Sequence, residues 1–304
     1  MDKTYAETVR LLLRVAPEVF ASGLFAMKGG TAINLFARDM PRLSVDTDLA
    51  YTRWQEPRET ALNAISREIG EIGNRLRRQG LEVRITTAPG LGESKLFINQ
   101  GDVQVKVDVN LVFRGTVLPV ATRSLVPVAT EMFSAELELP ILAEAELYGG
   151  KLVAALDRQH PRDLFDVAEL YEAGGITDKM VECFVTYLAG HNRPIHEVLF
   201  ATPKDIEQAF RTSFLGMTTN PVSVETLVAA RESLLKELPA RLTDKHRRFL
   251  LGLASATPDW TLLACPHAAE LPALRWKLQN LERFKKMRPD AFERQVQTLE
   301  SELR

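Results

Sequence analysis

Met27-Lys28-Gly29-Gly30-Thr31-Ala32 stands shortly ahead of Leu43-Ser44-Val45-Asp46-Thr47-Asp48-Leu49. A glycine pair with a hydroxyl residue, followed by two acids one residue apart, can hold a triphosphate and the hard cations that activate it. Without a Cβ, the glycines let backbone N–H groups approach phosphate oxygens closely. Thr31 adds a hydroxyl donor, and Lys28 and Ser44 join Gly29, Gly30 and Thr31 as nucleotide-binding candidates. The acids alternate with Val45, Thr47 and Leu49, so on a strand both carboxylates point the same way, as oxygen ligation of a hard cation requires. Each half has a plain reading on its own: a turn or helix entry for the glycines, a solvated strand edge for the acids. Their order and short spacing favour the chemical reading.

A third acid completes the set. Val103, Val105, Val107, Val109 and Leu111 alternate with Gln104, Lys106, Asp108 and Asn110, the clearest strand pattern in the chain. Asp108 therefore lies on a polar strand face with Lys106. Taken alone it is a charged residue on a wet edge. Beside Asp46 and Asp48 it becomes a third ligand for Mg2+ or Mn2+, or the base that takes a proton from an attacking hydroxyl. Phosphoryl and nucleotidyl transfer ask little more of a protein than positioning and charge neutralisation.

These residues must be placed by a mixed fold. The periodicities predict helices over 6–20, 31–36 and 57–79, and strands over 25–28, 44–51, 81–87, 94–99 and 103–111, with a turn at Pro89-Gly90-Leu91-Gly92. From residue 140 onward the pattern is helical. The expected class is α+β, with a catalytic domain over 1–135 and a helical domain over 136–304. The 304 residues, 45% hydrophobic and 26% charged, suit a protein with a sizeable core. No apolar run is long enough for a membrane span and no secretory signal is visible, so a cytoplasmic protein is expected. Cys183 and Cys265 have no metal-ligand spacing and read as buried thiols; His191 and His196 lack a third ligand.

The helical part carries a second cluster, Glu146-Leu147-Tyr148-Gly149-Gly150-Lys151 through Arg158 and Pro161-Arg162-Asp163 to Asp166. Lys151 and Arg158 are two helical turns apart and share a face. Lys151 suits a phosphate contact, with the glycines opening an approach. Arg158 can reach phosphate or be held by Asp163 or Asp166; the alternative for the whole cluster is a helix junction tied by ion pairs. Further on, residues 241–288 hold ten cations against four acids, a local excess of +6 in a chain of net charge −2. With Trp260, Trp276 and Phe284 among them, this segment suits RNA phosphates and bases, or is a solvated face with its aromatics in the core.

The runs at 27–36 and 42–49 resemble the AbiEii/AbiGii family of nucleotidyltransferase toxins, as does the lysine–arginine–aspartate block at 151–166. The stretches at 258–260 and 271–281 are similar to its helical tail. The resemblance implies a bilobed chain with a DNA polymerase β-like nucleotidyltransferase lobe and a helical lobe. It implies a toxin of a toxin–antitoxin or phage-defence system, metal-dependent, moving NMP from an NTP to RNA, foremost the 3′ acceptor end of tRNA. A cognate antitoxin, often a winged-helix repressor, would be the partner. Carried over by residue, Asp46 and Asp48 become the metal acids, and Lys151 and Asp166 the essential lysine and distal aspartate. Arg158 and Asp163 stay as nucleotide-binding candidates. Two other readings stay open: transfer to a protein or small-molecule hydroxyl, and a module that only senses NTP.

Overall fold

The computed structural model describes residues 3–87 and 93–304; the expected turn at Pro89-Gly90-Leu91-Gly92 lies outside them. By internal contacts the chain divides into two units, Met1–Leu147 and Tyr148–Arg304.

The first unit is a mixed sheet with helices. In chain order it holds α1 (Lys3–Phe20), β1 (Phe25–Lys28), α2 (Gly29–Phe36), β2 (Thr47–Tyr51), α3 (Arg58–Arg78), β3 (Glu82–Thr87), β4 (Glu93–Gln100), β5 (Val103–Asn110), β6 (Ala121–Ser124), α4 (Pro127–Phe133) and β7 (Glu138–Ile141), followed by the start of α5 (Glu144–Arg158). The seven strands are ordered β3-β4-β5-β2-β1-β7-β6. β2 runs parallel to β5 and β1 parallel to β7, while the other neighbours are antiparallel. One face of the central strands is apolar and sealed: Met27, Leu49, Leu96, Ile98, Val105, Val107 and Val109 are fully buried. α1 packs on β5 and α3 on β3, supplying Leu12, Val19, Ile65, Ile72 and Leu76 to the core. The alternation over 103–111 thus marks a strand with one buried face.

The sequence reading differs from the fold in three places. β6, β7 and α4 have no counterpart in it; four-residue strands are too short for alternation to register. α2 begins at Gly29, so both glycines lie in its first turn. β2 begins only at Thr47, not at residue 44, so Asp46 lies outside the strand and strand alternation does not fix its side chain. Over residues 42–46 strand pairing is limited to a single bridge at Arg42, and three backbone groups are held by side chains: Arg42 N–H donates to Asn34 Oδ1, Ser44 N–H donates to Tyr5 Oη, and Asp46 C=O accepts from Thr31 Oγ1.

The second unit is helical. It continues α5 and adds α6 (Pro161–Glu172), α7 (Asp178–Ala189), α8 (Ile195–Leu199), α9 (Glu207–Ser213), α10 (Val224–Arg241), α11 (Asp244–Ala254), α12 (Pro272–Met287) and α13 (Pro289–Leu303). Its core includes Phe184, Leu188, Leu227, Leu234, Leu238, Phe249 and Leu253. Pro161 occupies the first turn of α6, where its missing N–H costs nothing, and His160 caps that helix by accepting from Arg162 N–H. Among the described residues no helix is long and apolar enough to cross a membrane.

Candidate active site

In the first unit, the sheet register assembles the charged residues into one row. Lys28 on β1 pairs with Asp48 on β2, Asp48 pairs with Asp108 on β5, and Asp108 pairs with Lys95 on β4. Residues directly opposite on neighbouring strands lie on one face, about 5 Å apart. The row therefore sets two carboxylates side by side between two ammonium groups. Lys106 Nζ lies 2.5 Å from Asp108 Oδ2, and Lys95 Nζ lies 3.3 Å from the same oxygen. Burial pushes the Lys28 ammonium below its ordinary pKa, while Asp48, Glu146 and Asp108 push it back up.

Lys28 is also the N-cap of α2, and its side chain makes no capping hydrogen bond there. The first N–H groups of a helix have no partner inside it, and the dipole favours an anion at that end. The glycines are needed at this turn for two reasons. Gly29 has φ +80°, and a Cβ there would overlap the Asp48 carboxylate. A Cβ at Gly30 would fall 2.5 Å from Arg42 Nη2 and 3.1 Å from Ser44 Oγ. The turn and the acid-bearing segment thus touch along their length, with Asp48 lying over Gly29 and Arg42 over Gly30.

We expect Gly29→Ala to cost roughly 1–2 kcal/mol for the left-handed backbone alone. Displacement of Asp48 should lower nucleotide transfer by a further factor of about 10². Gly70→Ala, on α3 with open space around its Cα, is the control. Melting temperature and initial transfer rate of both variants make the comparison, and a fully active Gly29→Ala protein would contradict the expectation.

Three site assignments change on this geometry. Thr31 is fully buried; its hydroxyl donates to Asp46 C=O at 2.6 Å and lies 3.0 Å from Ser44 Oγ. It fastens the acid segment rather than presenting a donor to phosphate. Asp46 is exposed and lies one residue ahead of β2. Among the described residues no group of three or more acids, histidines or cysteines is gathered to hold a metal ion, while Asp48 and Asp108 are register partners on neighbouring strands. That pair still fits a small hard cation. Mg2+ is commonly held by one or two carboxylates, with waters and substrate phosphates completing its shell, rather than by an all-protein cage.

Glu146 has no role in the sequence reading beyond its place in the second cluster, yet it is fully buried. Its Oε1 accepts from Val117 N–H at 2.8 Å and its Oε2 from Leu118 N–H at 2.9 Å. It pins the segment after β5 with charge-assisted bonds. Arg42 and Asn34 are likewise buried and have no assigned role in the sequence reading. The only signal available was their type: an arginine and an asparagine among apolar neighbours.

In the second unit Lys151 is 8% exposed, and its Nζ bridges Asp163 Oδ1 and Asp166 Oδ2, both at 2.9 Å. Arg158 Nη2 reaches Asp163 Oδ2 at 2.8 Å while much of its side chain stays in solvent. Burial would raise the Asp163 pKa, but Lys151 and Arg158 outweigh it and hold the carboxyl below its ordinary value. The glycines before Lys151 are not an approach for a ligand. A Cβ at Gly149 would lie 2.5 Å from Cys183 Cβ and 2.8 Å from the Phe184 nitrogen, and one at Gly150 would lie 3.3 Å from the Tyr187 ring. They let α5 lie close against α7.

The basic segment of the second unit divides by partner. Arg241 pairs with Asp178 and Glu237, and Arg247 donates to the carbonyls of Pro239, Leu242 and Leu303. Lys277 is buried, donates to the His191 and Arg193 carbonyls, and is held down to about 8 by burial. The other seven, Lys245, Arg248, Arg275, Arg283, Lys285, Lys286 and Arg288, face solvent. Trp260 packs on Phe249 and Phe284 on Phe292, but Trp276 is 59% exposed, contrary to a core placement.

A mixed sheet with a helix start and an acid pair beside it is an arrangement that nucleotidyl transfer can use. One solved structure, "MenT4, nucleotidyltransferase toxin Rv2826c from Mycobacterium tuberculosis H37Rv", has the same fold at a TM-score of 0.60, with 18% identity over 91% of this chain and 94% of that one. No sequence among the curated proteins matches the chain. The family profile "Nucleotidyl transferase AbiEii toxin, Type IV TA system" matches residues 10–280, and the chain belongs to that family. Membership makes it a nucleotidyltransferase toxin with an antitoxin as partner and a nucleoside triphosphate as substrate.

Proposed function

We propose that the protein transfers a nucleotide from an NTP to the 3′ hydroxyl of an RNA, with tRNA as the favoured acceptor, and so blocks translation. The observation that carries the transfer site is the register row Lys28–Asp48–Asp108 beside the N-terminus of α2. In this reading the N–H groups of Gly29 and Gly30, with Lys28, hold the phosphates. The acceptor oxygen forms a new ester bond to the α-phosphorus as pyrophosphate leaves. A divalent cation held by Asp48 and Asp108, Mg2+ in this reading, would neutralise charge developing on the transferring phosphate. Asp46, exposed just ahead of β2, remains within the same loop as a candidate outer ligand. A winged-helix repressor is the antitoxin this reading favours.

RNA as acceptor draws its support from α12. Trp276, Arg283 and Met287 fall at i, i+7 and i+11 and share one helix face, and Met287 is also exposed. A base can stack on an exposed indole while cations neutralise phosphates, a combination that favours RNA over a small molecule. Trp276→Ala combined with Arg283→Gln should raise the KM for acceptor RNA about tenfold, since stacking alone contributes about 1–3 kcal/mol per base. KM for NTP should stay unchanged. Steady-state kinetics with each substrate varied would test this; equal KM values for RNA would remove α12 from the acceptor surface.

The direct test of the function is incubation of the purified protein with total RNA and each α-phosphate-labelled NTP in turn. Label in the tRNA band from one NTP is the expected result. Label on protein alone would favour transfer to a protein hydroxyl, and no label at all would favour a module that only senses NTP.

A further inference from the structure

We propose that Tyr5, Asn34 and Thr31 form a three-point tether for the acid-bearing segment, and that Tyr5 of the first helix is a positioning residue for nucleotidyl transfer. The second part rests on the transfer reading of the Asp48 row. The contacts fall on alternate residues of the segment. Arg42 N–H donates to Asn34 Oδ1 at 3.2 Å, Ser44 N–H to Tyr5 Oη at 3.2 Å, and Asp46 C=O accepts from Thr31 Oγ1 at 2.6 Å. Three side chains from α1 and α2 thus hold backbone groups along residues 42–46, a stretch that enters strand pairing only at Arg42.

All three tether residues are buried. Asn34 also donates to Gly30 C=O at 2.8 Å, so the same side chain grips the phosphate turn and the acid segment. Asp46, and the chain leading into β2 just ahead of Asp48, then take their placement from these side chains. Loss of one point of the tether loosens where the acids sit more than it changes how phosphates are bound at the helix start. Misplacement of a positioned group lowers the rate of the chemical step more than it weakens ground-state binding.

The test uses full-length Tyr5→Phe, which keeps the ring and removes only the hydroxyl. Amide hydrogen exchange is followed in peptides covering 42–46, with peptides covering β5 as the check on the fold. Exchange over 42–46 should quicken about tenfold, as expected for one lost hydrogen bond, with β5 unchanged. In parallel kcat should fall about tenfold with KM for NTP within about twofold. Glu7→Ala, on the exposed side of α1, should match wild type in both. Unchanged exchange over 42–46 overturns the tether, and faster exchange with unchanged kcat overturns the positioning role. A wild-type protein that transfers no nucleotide overturns the transfer reading instead, and exchange still decides the tether.

Discussion

Asp48→Asn is expected to lower the nucleotide-transfer rate by about 10³-fold while leaving the fold intact, the scale seen when a preorganised charge at a reacting centre is removed. The amide has the size of the carboxylate, so the contact over Gly29 and the pairing with Lys28 and Asp108 are preserved. Only the charge is lost. A neutral side chain in the middle of the row leaves Asp108, already carrying Lys95 and Lys106 on one oxygen, as the sole carboxylate of the pair. Transfer of label from α-labelled NTP, growth arrest on expression, and thermal melting are the three readouts. Loss of transfer and of toxicity with a melting temperature close to wild type is the expected pattern. An active Asp48→Asn protein would remove the row from the chemistry altogether.

Lys151→Met has a large effect of another kind. It leaves Asp163 and Asp166 buried without the ammonium that bridges them, with Arg158 still reaching Asp163. Breaking a buried pair by removing one partner typically costs about 3–5 kcal/mol, because the charge left behind has lost both water and counter-ion. The pH dependence gives the effect a signature. Asp163 is held below its ordinary pKa in the folded protein. Its stabilisation is therefore complete above the unfolded value of about 3.9 and disappears as pH falls through the lower folded value. The difference in melting temperature between wild type and Lys151→Met should be widest near neutrality and shrink below about pH 4 as Asp163 takes up its proton. Equal melting at pH 7 would show that the three residues are not coupled.

What the residues disclosed in advance, and what they hid, follows from the range of the contacts. The alternation through Val103 to Val109 placed Asp108 on the polar face of a buried strand, and the register then set it against Asp48. The glycine turn was legible because positive φ and close approach leave few other residues possible. The lysine–arginine–aspartate block was legible as a cluster because its spacing is local, but the sequence favoured a phosphate contact for Lys151 and offered the ion-paired junction only as the alternative. The hydroxyl of Thr31, the buried clamp of Glu146 and the tether through Tyr5 and Asn34 were not. Each joins a side chain to a backbone group in a distant segment, and such bonds leave no periodicity. The Gly149-Gly150 pair was misread for the same reason: the partner that needs its missing Cβ is Cys183, on another helix.

The order of the strands bears on when this toxin first becomes dangerous. β2 sits between β1 and β5, and Asp48 meets Asp108 across sixty positions of chain. β1 in turn is completed on its other side by β7, which ends at Ile141. Both of these pairings are parallel and non-local, and such contacts form late because the intervening chain must be closed first. A ribosome building this protein from its N-terminus therefore releases β1 and β2 long before β7 and Asp108 of β5 are there to flank them. Nearly half of the chain must emerge before the acid pair and the sheet around it can exist.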